Sequence, residues 1–253
     1  MKILNLFTIF FILTLTTFAQ VNIEKFRTLS DINGIGGSLK FDFSVQTGNK
    51  NVQLFGLEGR GSIKKNNNHF FLIGKGEYGW QGGKQFSNEA LLHLRYVRKL
   101  YNNLSAELFT QIDYNKARLL LFRYLFGGGL RIKIYKTKNT SSHFGLATMY
   151  ENERLDLPAT AVHPNRTKVI RLSTYVTFRI NIKKGVNLAS VVYYQPKIND
   201  FGDARVLSEN SLLVDISTHL GLSVELNIRY DRKPPDNIHD LDTKTKLGFS
   251  FKF

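Results

Sequence analysis

The chain has 253 residues, no cysteine and a formal charge of +15, from 35 Lys and Arg against 20 Asp and Glu. The lack of cysteine excludes disulfides, thiolate-held metal and a cysteine-borne lipid anchor. So basic a balance fits nucleic acid or phosphate-bearing lipid, and the first segment separates the two.

Met1 and Lys2 precede an apolar and hydroxyl run from Ile3 to Phe18, and small Ala19 stands before Gln20. This is the layout of a cleaved secretory signal peptide over residues 1–19. The run is shorter than the roughly 20 apolar residues of a spanning helix, and Asn5 and four threonines dilute it. Cleavage removes one charge, Lys2, and lowers the balance to +14. An exported chain meets no nucleic acid. Outer-membrane lipids and lipopolysaccharide are the expected anionic partners. Residues 20–34 are expected as a short periplasmic segment and 35–253 as one transmembrane barrel domain.

From Ser38 onward the pattern is period-2 alternation, the mark of strands with one apolar face. Leu39, Phe41, Phe43 and Val45 oppose Lys40 and Asp42. Phe55, Leu57 and Ile63 oppose Glu58 and Arg60. Phe70, Leu72, Tyr78 and Trp80 oppose Lys75 and Glu77. Leu92, Leu94 and Tyr96 oppose Glu89 and Arg95. Leu104, Leu108 and Ile112 oppose Glu107 and Asp113. Phe122, Tyr124, Phe126, Leu130 and Ile132 oppose Arg123 and Arg131.

The second half repeats this. Phe144, Leu146 and Tyr150 mark a weaker strand, and Ile170 to Ile182 a long one opposed by Arg171 and Arg179. Leu188, Val192 and Tyr194 follow, with Ser190 interrupting that face. Leu212 to Leu220 and Leu222 to Tyr230 precede the last run, where Leu247, Phe249, Phe251 and Phe253 alternate with Lys246, Gly248, Ser250 and Lys252. A chain closing on an aromatic in register with its apolar face resembles the signal read by the barrel-assembly machinery, which makes Phe249, Phe251 and Phe253 the candidate assembly residues.

The count is about twelve strands, an even number as in single-chain bacterial barrels. A soluble sandwich also alternates, but here the polar face carries charge of both signs at mid-strand. The opposite face stays apolar for about 10 residues, the length of a tilted spanning strand. In a bilayer only a closed sheet pairs every backbone group. The fold expected is an all-β, transmembrane, antiparallel up-and-down barrel of the outer-membrane type. With the N-terminus in the periplasm, short turns are predicted at 64–68, 101–103, 136–142, 183–185 and about 219–221. Longer external loops are predicted at 79–85, 152–166, 196–209 and 231–242. The short turns are rich in Lys, which suits snorkelling to lipid phosphates and equally suits plain solvation. Trp80, Tyr114, Tyr230 and Phe253 fall near strand ends, where an aromatic girdle belongs.

Catalytic chemistry finds little support. His69, His93 and His219 fall on predicted inner faces, where a polar network is the ordinary arrangement. A barrel phospholipase needs His and Ser two apart on one strand to activate the hydroxyl; no His-x-Ser occurs, and Ser141-Ser142-His143 has the wrong spacing. Loop carboxylates Glu151, Glu153 and Asp156, and Asp231, Asp236, Asp240 and Asp242 with His239, could hold Ca²⁺ but lack any calcium-loop pattern. Gly127-Gly128-Gly129 has no following helix to make a phosphate cradle. A bend, or room for inner Arg123 and Arg131, explains it better. No catalytic residue, cofactor or metal is expected.

The candidate site is a charge network facing the lumen: Glu58, Arg60, Lys75, Glu77, Glu89, Arg95, Arg123 and Arg131. Pairing between adjacent strands, as in Glu58 and Arg60 against Lys75 and Glu77, would form a ladder. A lumen of about twelve strands is narrower than a porin's, so such charges make either a plug or a small, weakly anion-favouring pore.

Val21-Asn22-Ile23-Glu24, Gly36-Gly37-Ser38-Leu39, Thr47-Gly48-Asn49, Leu94-Arg95-Tyr96 and the stretch from Arg123 to Arg131 resemble the family known as domain of unknown function 481. The likeness runs over most of the chain after residue 19. It implies an outer-membrane barrel in a Gram-negative envelope, in some members linked to salt, and supplies no site residues. The function expected is a non-enzymatic envelope barrel, structural or a narrow pore. The alternative is a lipid- or lipopolysaccharide-modifying enzyme with its site at the external loops near His163 and His239. Oligomeric state is open.

Overall fold

A computed structural model describes residues 33–46 and 52–253. The predicted signal peptide, almost all of the 20–34 segment and Thr47-Gly48-Asn49 lie outside the described residues, as does the side chain of Val45.

Twelve antiparallel strands follow one another around a closed barrel. The first six are β1 (Gly34–Gln46), β2 (Val52–Lys65), β3 (Asn68–Gln81), β4 (Lys84–Lys99), β5 (Leu104–Asn115) and β6 (Leu120–Lys136). The rest are β7 (Thr140–Leu155), β8 (Arg166–Lys183), β9 (Val186–Lys197), β10 (Asp200–Asp215), β11 (Leu220–Asp231) and β12 (Leu241–Lys252). The strand count and the fold class are those expected from the alternation.

That alternation sets which way each side chain points. On β4, Leu92 and Leu94 are 46% and 45% exposed, whereas His93 and Arg95 between them are 0% and 1% exposed. Apolar groups out and charges in inverts the arrangement of a water-soluble domain and suits hydrocarbon outside the ring. Polar intrusions on the outer face are satisfied locally. Ser190 donates to Asn210 Oδ1 at 2.8 Å, and Asn210 also donates to the Leu226 carbonyl at 3.3 Å. Near one rim Tyr78 and Trp80 stack on the outer surface with centroids 6.0 Å apart.

β1 and β12 close the ring, with Leu39 opposite Phe251 and Phe41 opposite Phe249. Gly37 and Phe253 exchange both backbone bonds, at 3.1 and 3.2 Å. The Phe253 ring occupies the space that a Cβ on Gly37 would need, so the aromatic covers the bare backbone of the seam, as aromatics do for glycines in sheets.

At one end, hereafter the turn end, the connections are 66–67, 100–103, 137–139, 184–185 and 216–219. At the loop end two of the expected long loops are tight turns instead. The 79–85 segment is a hairpin whose connecting residues Gly82 and Gly83 have φ of +56° and +79°, the left-handed pair that a two-residue hairpin requires. The 196–209 segment is almost wholly strand, since β10 begins at Asp200. Its register against β9 shifts between Asp200 and Ala204. Four successive residues, Ala204 to Leu207, are then buried, which erases the period of two. True long connections remain at 156–165 and 232–240. His219, expected on an inner face, lies in the exposed turn 216–219. That four-residue turn keeps the odd–even phase, so the apolar alternation reads straight through it.

Candidate functional site

Near the turn end the lumen is filled by side chains. Tyr175 on β8 lies along the wall over Gly145 of β7, where a Cβ would collide with its ring. It reaches past β6 and donates its hydroxyl to Glu107 of β5 at 2.5 Å. Gly145 leaves the lane that the phenol follows, while Gly129, directly opposite Glu107, admits the close approach of Leu146 and Ala147 of β7. The glycine run of β6 therefore makes room for Phe109, Met149 and Leu108, not for Arg123 and Arg131 as expected. Arg95 joins this layer from β4. It binds Glu107 at 3.1 Å and His93 Nε2 at 3.3 Å, and its guanidinium lies 5.1 Å from the Phe109 ring centroid. Arg131 stands over the Tyr175 ring at 6.0 Å, and Tyr175 packs on Tyr193 of β9 at 5.1 Å. Ile73, Val191 and Tyr193 complete the layer with no exposed surface.

Toward the loop end the lumen is ionic. Arg205 of β10 binds Glu151 at 2.7 Å and Glu153 at 2.8 Å, both on β7, and Asp231 of β11 at 2.8 Å. Arg171 binds Glu151 and Asp203, each at 2.9 Å. Arg123 binds Asp113 at 2.7 Å and Glu153 at 3.5 Å. On the other side Lys244 of β12 reaches Glu77 at 2.5 Å and Glu89 at 3.0 Å, and Lys246 reaches Glu77 at 2.8 Å. Lys40 bridges Asp42 at 2.9 Å and Glu225 at 3.3 Å. Between the two groups lies a cavity of about 410 Å³ that both line.

All eight candidate lumen residues point inward, but the ladder of adjacent pairs is only partly present. Lys75 meets Glu58 at 3.3 Å, directly across from it in register. Glu77 and Glu89 stand opposite one another as like charges, so neither neutralises the other and both turn to β12. Arg95 takes Glu107. Arg60 is buried on β2. Glu151, Glu153 and Asp231 are expected in external loops, and Arg205 falls inside the expected 196–209 loop with no role. All four are buried in strands. Glu151 and Glu153 continue the odd-numbered inner positions after Ala147 and Met149, a signal that was available. For Arg205 the bulge had hidden it.

The long loops meet above this end. The Asp236 carboxylate accepts the His163 backbone N–H at 2.7 Å and that of Val162 at 3.3 Å. These bonds, the one from His163 foremost, hold the Asp236 carboxyl below its ordinary value. Loop 232–240 and the inner Arg205 and Asp231 enclose a cavity of about 250 Å³ that also holds His239 and Asp240. His163 turns its ring to the Pro164 carbonyl at 3.0 Å. Among the described residues no three His, Asp or Glu converge to hold a metal ion.

An outer membrane channel from Pseudomonas putida F1 is 9% identical with a TM-score of 0.57, covering 92% of this chain and 100% of that one. The NanC porin is 12% identical with a TM-score of 0.52, over 87% and 100%. The translocator domain of the autotransporter NalP from Neisseria meningitidis is 9% identical with a TM-score of 0.50, over 89% and 91%. At such identity the likeness is one of fold alone. None of the curated proteins compared matches the chain. The family model described as "Protein of unknown function, DUF481" matches residues 39–253, and the chain belongs to that family.

Proposed function

We propose that the protein is a non-enzymatic barrel of the Gram-negative outer membrane whose lumen is closed by its own side chains. One observation carries this. Ile73 on β3 and Val191 and Tyr193 on β9, inner-wall residues of diametrically opposed strands, have no exposed surface. The wall of an open channel touches water; this one touches protein. The two fully buried groups beside them, His93 and Arg95, are held by Gln111 and Glu107, an arrangement of structural pairing rather than of a site awaiting substrate.

In this proposal residues 1–19 are removed on export and the short turns face the periplasm, as in known barrels. The outer face meets lipid and lipopolysaccharide, and the aromatic face of Phe249, Phe251 and Phe253 is offered to the assembly machinery. Purified protein in a planar bilayer should conduct little. Any residual current should favour anions, because Arg131, Lys133 and Arg179 crowd the turn-end mouth. Large cation-selective steps would overturn the closed lumen, and lipid turnover by the same preparation would make the protein an enzyme.

A further inference from the structure

The outer wall of the β7–β8 pair carries charge near the loop end. Arg154 and Arg166 are exposed and stand directly opposite one another, and exposed Lys168 lies two residues further along β8, opposite Asn152. All three share the outward face with Tyr150 and Ile170, which pair next in that register toward the turn end. Like charges directly opposed on a sheet destabilise it, and among the described residues none of the three makes an ion pair with a carboxylate. The inner cations differ in kind, since Arg123, Arg171 and Arg205 each meet carboxylates within 3.5 Å. Neighbouring strands are uncharged outside at this end, with Ile112 on β5 and with Phe122 on β6 directly opposite Arg154. A surface recess beside the pair is lined by Arg154 and Arg166 with Leu121, Leu155 and Leu157, and Asp156 is its one acid. One carboxylate against three cations leaves a surplus of two charges.

The height of the patch narrows the choice of counter-ion. Outward residues from Ile170 to Ile182 extend over about 40 Å of strand at roughly 3.4 Å per residue. A tilt of about 45° makes that about 30 Å of height, the thickness of the hydrocarbon. Lys168 thus stands at its edge and the two arginines in the headgroup layer. We propose that this patch binds a phosphate on the sugar headgroup of lipopolysaccharide in the outer leaflet. The proposal rests on the orientation adopted above, with the long loops outside the cell. A phosphomonoester carries about −1.5 to −2 charge near neutral pH, whereas the phosphodiester of a phospholipid carries a single one, so the monoester better answers the surplus. Guanidinium forks bond phosphate oxygens in pairs. Direct register holds the two arginine Cβ atoms about 5 Å apart, close enough for both forks to grip one phosphate. Lys168 adds a point charge beneath them, and the Asn152 amide on the same face donates to a sugar hydroxyl.

The probe is bisphosphorylated lipid A, titrated into the refolded full chain in zwitterionic micelles and read by native mass spectrometry as bound lipid per barrel. One retained lipid A is expected, and dephosphorylated lipid A should be lost. Arg154→Gln with Arg166→Gln should lower affinity by about tenfold or more, the loss of two charge-assisted bonds. Arg154→Lys with Arg166→Lys should fall between, since the charge stays and the forks go. Lys168→Gln should lower it less and serves as the test if the double variants fail to fold. Lys184→Gln, in a turn at the opposite end, should change nothing. Equal retention of the dephosphorylated lipid, unchanged affinity in the Gln variants, or an equal loss with Lys184→Gln overturns the site. Phosphatidylglycerol held as firmly as lipid A would overturn the lipopolysaccharide assignment and give the patch to phospholipid. Orientation is read separately, by labelling Thr160→Cys in intact cells with a thiol reagent too large to cross the outer membrane. Labelling without phosphate-dependent binding sinks the site alone; protection sinks the orientation and the site together.

Discussion

A guanidinium that meets three carboxylates, as Arg205 does with Glu151, Glu153 and Asp231, leaves buried charge behind when it is cut away. Arg205→Ala is therefore expected to destabilise the barrel by about 3–5 kcal/mol, the cost of breaking a buried pair from one side. Urea unfolding in micelles, followed by Trp80 fluorescence, reads the loss, and a change below about 0.5 kcal/mol, the range of a neutral surface substitution, would show the cluster to be solvated. Arg205→Lys should restore only part, since a point charge does not span carboxylates on β7 and β11 as a planar fork does. Much of the network was legible residue by residue: parity along each strand placed Glu58, Arg60, Arg95 and Arg131 inside. Partners were not. Which cation answers Glu77 depends on ring closure bringing β12 within reach of β3, with only β1 and β2 between them, and no local spacing encodes that.

Single elements show the same division. β4 and β6 read as strands by uninterrupted alternation, whereas β10 as far as Glu209 reads as loop because its register shift buries four neighbours in a row. The β1–β12 seam rests on short pairing and on Phe253 lying over Gly37. Phe253→Ala strips that cover, whereas the transfer of the ring to lipid, about 1.5–3 kcal/mol, is lost equally in either Phe variant. Phe249→Ala, opposite Phe41 rather than a glycine, should leave the seam covered. Unboiled electrophoresis at rising temperature should show the Phe253 variant opening first, and equal opening temperatures would remove the special place given to the ring.

The loops add a pH-dependent joint. Because backbone donors at His163 and Val162 hold the Asp236 carboxyl below its ordinary 3.8, the ionised form is the one that clasps. The joint is thus complete above that value and lost as pH falls through the lowered one. Spin labels at Thr160→Cys and Ile238→Cys should give a narrow separation at neutral pH that broadens in acid, and Asp236→Ala should be broad throughout. A narrow separation in that variant would show that other contacts hold the loops.

At the scale of the whole molecule, the strand count, the inward and outward faces and the closed ring followed from period-2 patterning, because a bilayer outside and a polar filling inside impose opposite demands on alternate residues. The filling itself did not follow. Its central layer depends on Gly145 leaving a lane for Tyr175, and in the sequence this is only one glycine among 20.

The opposed acids Glu77 and Glu89 have one last consequence, for the order in which the barrel is made. A hairpin of β3 and β4 forms from neighbouring sequence, yet it carries two carboxylates face to face whose cations, Lys244 and Lys246, sit on β12, far later in the chain. Early hairpins thus repel internally until the final strand arrives, and a sheet that stops short of closure keeps that repulsion. Closing the ring and neutralising this pair become one event, so a sheet short of closure carries a penalty that the finished barrel sheds.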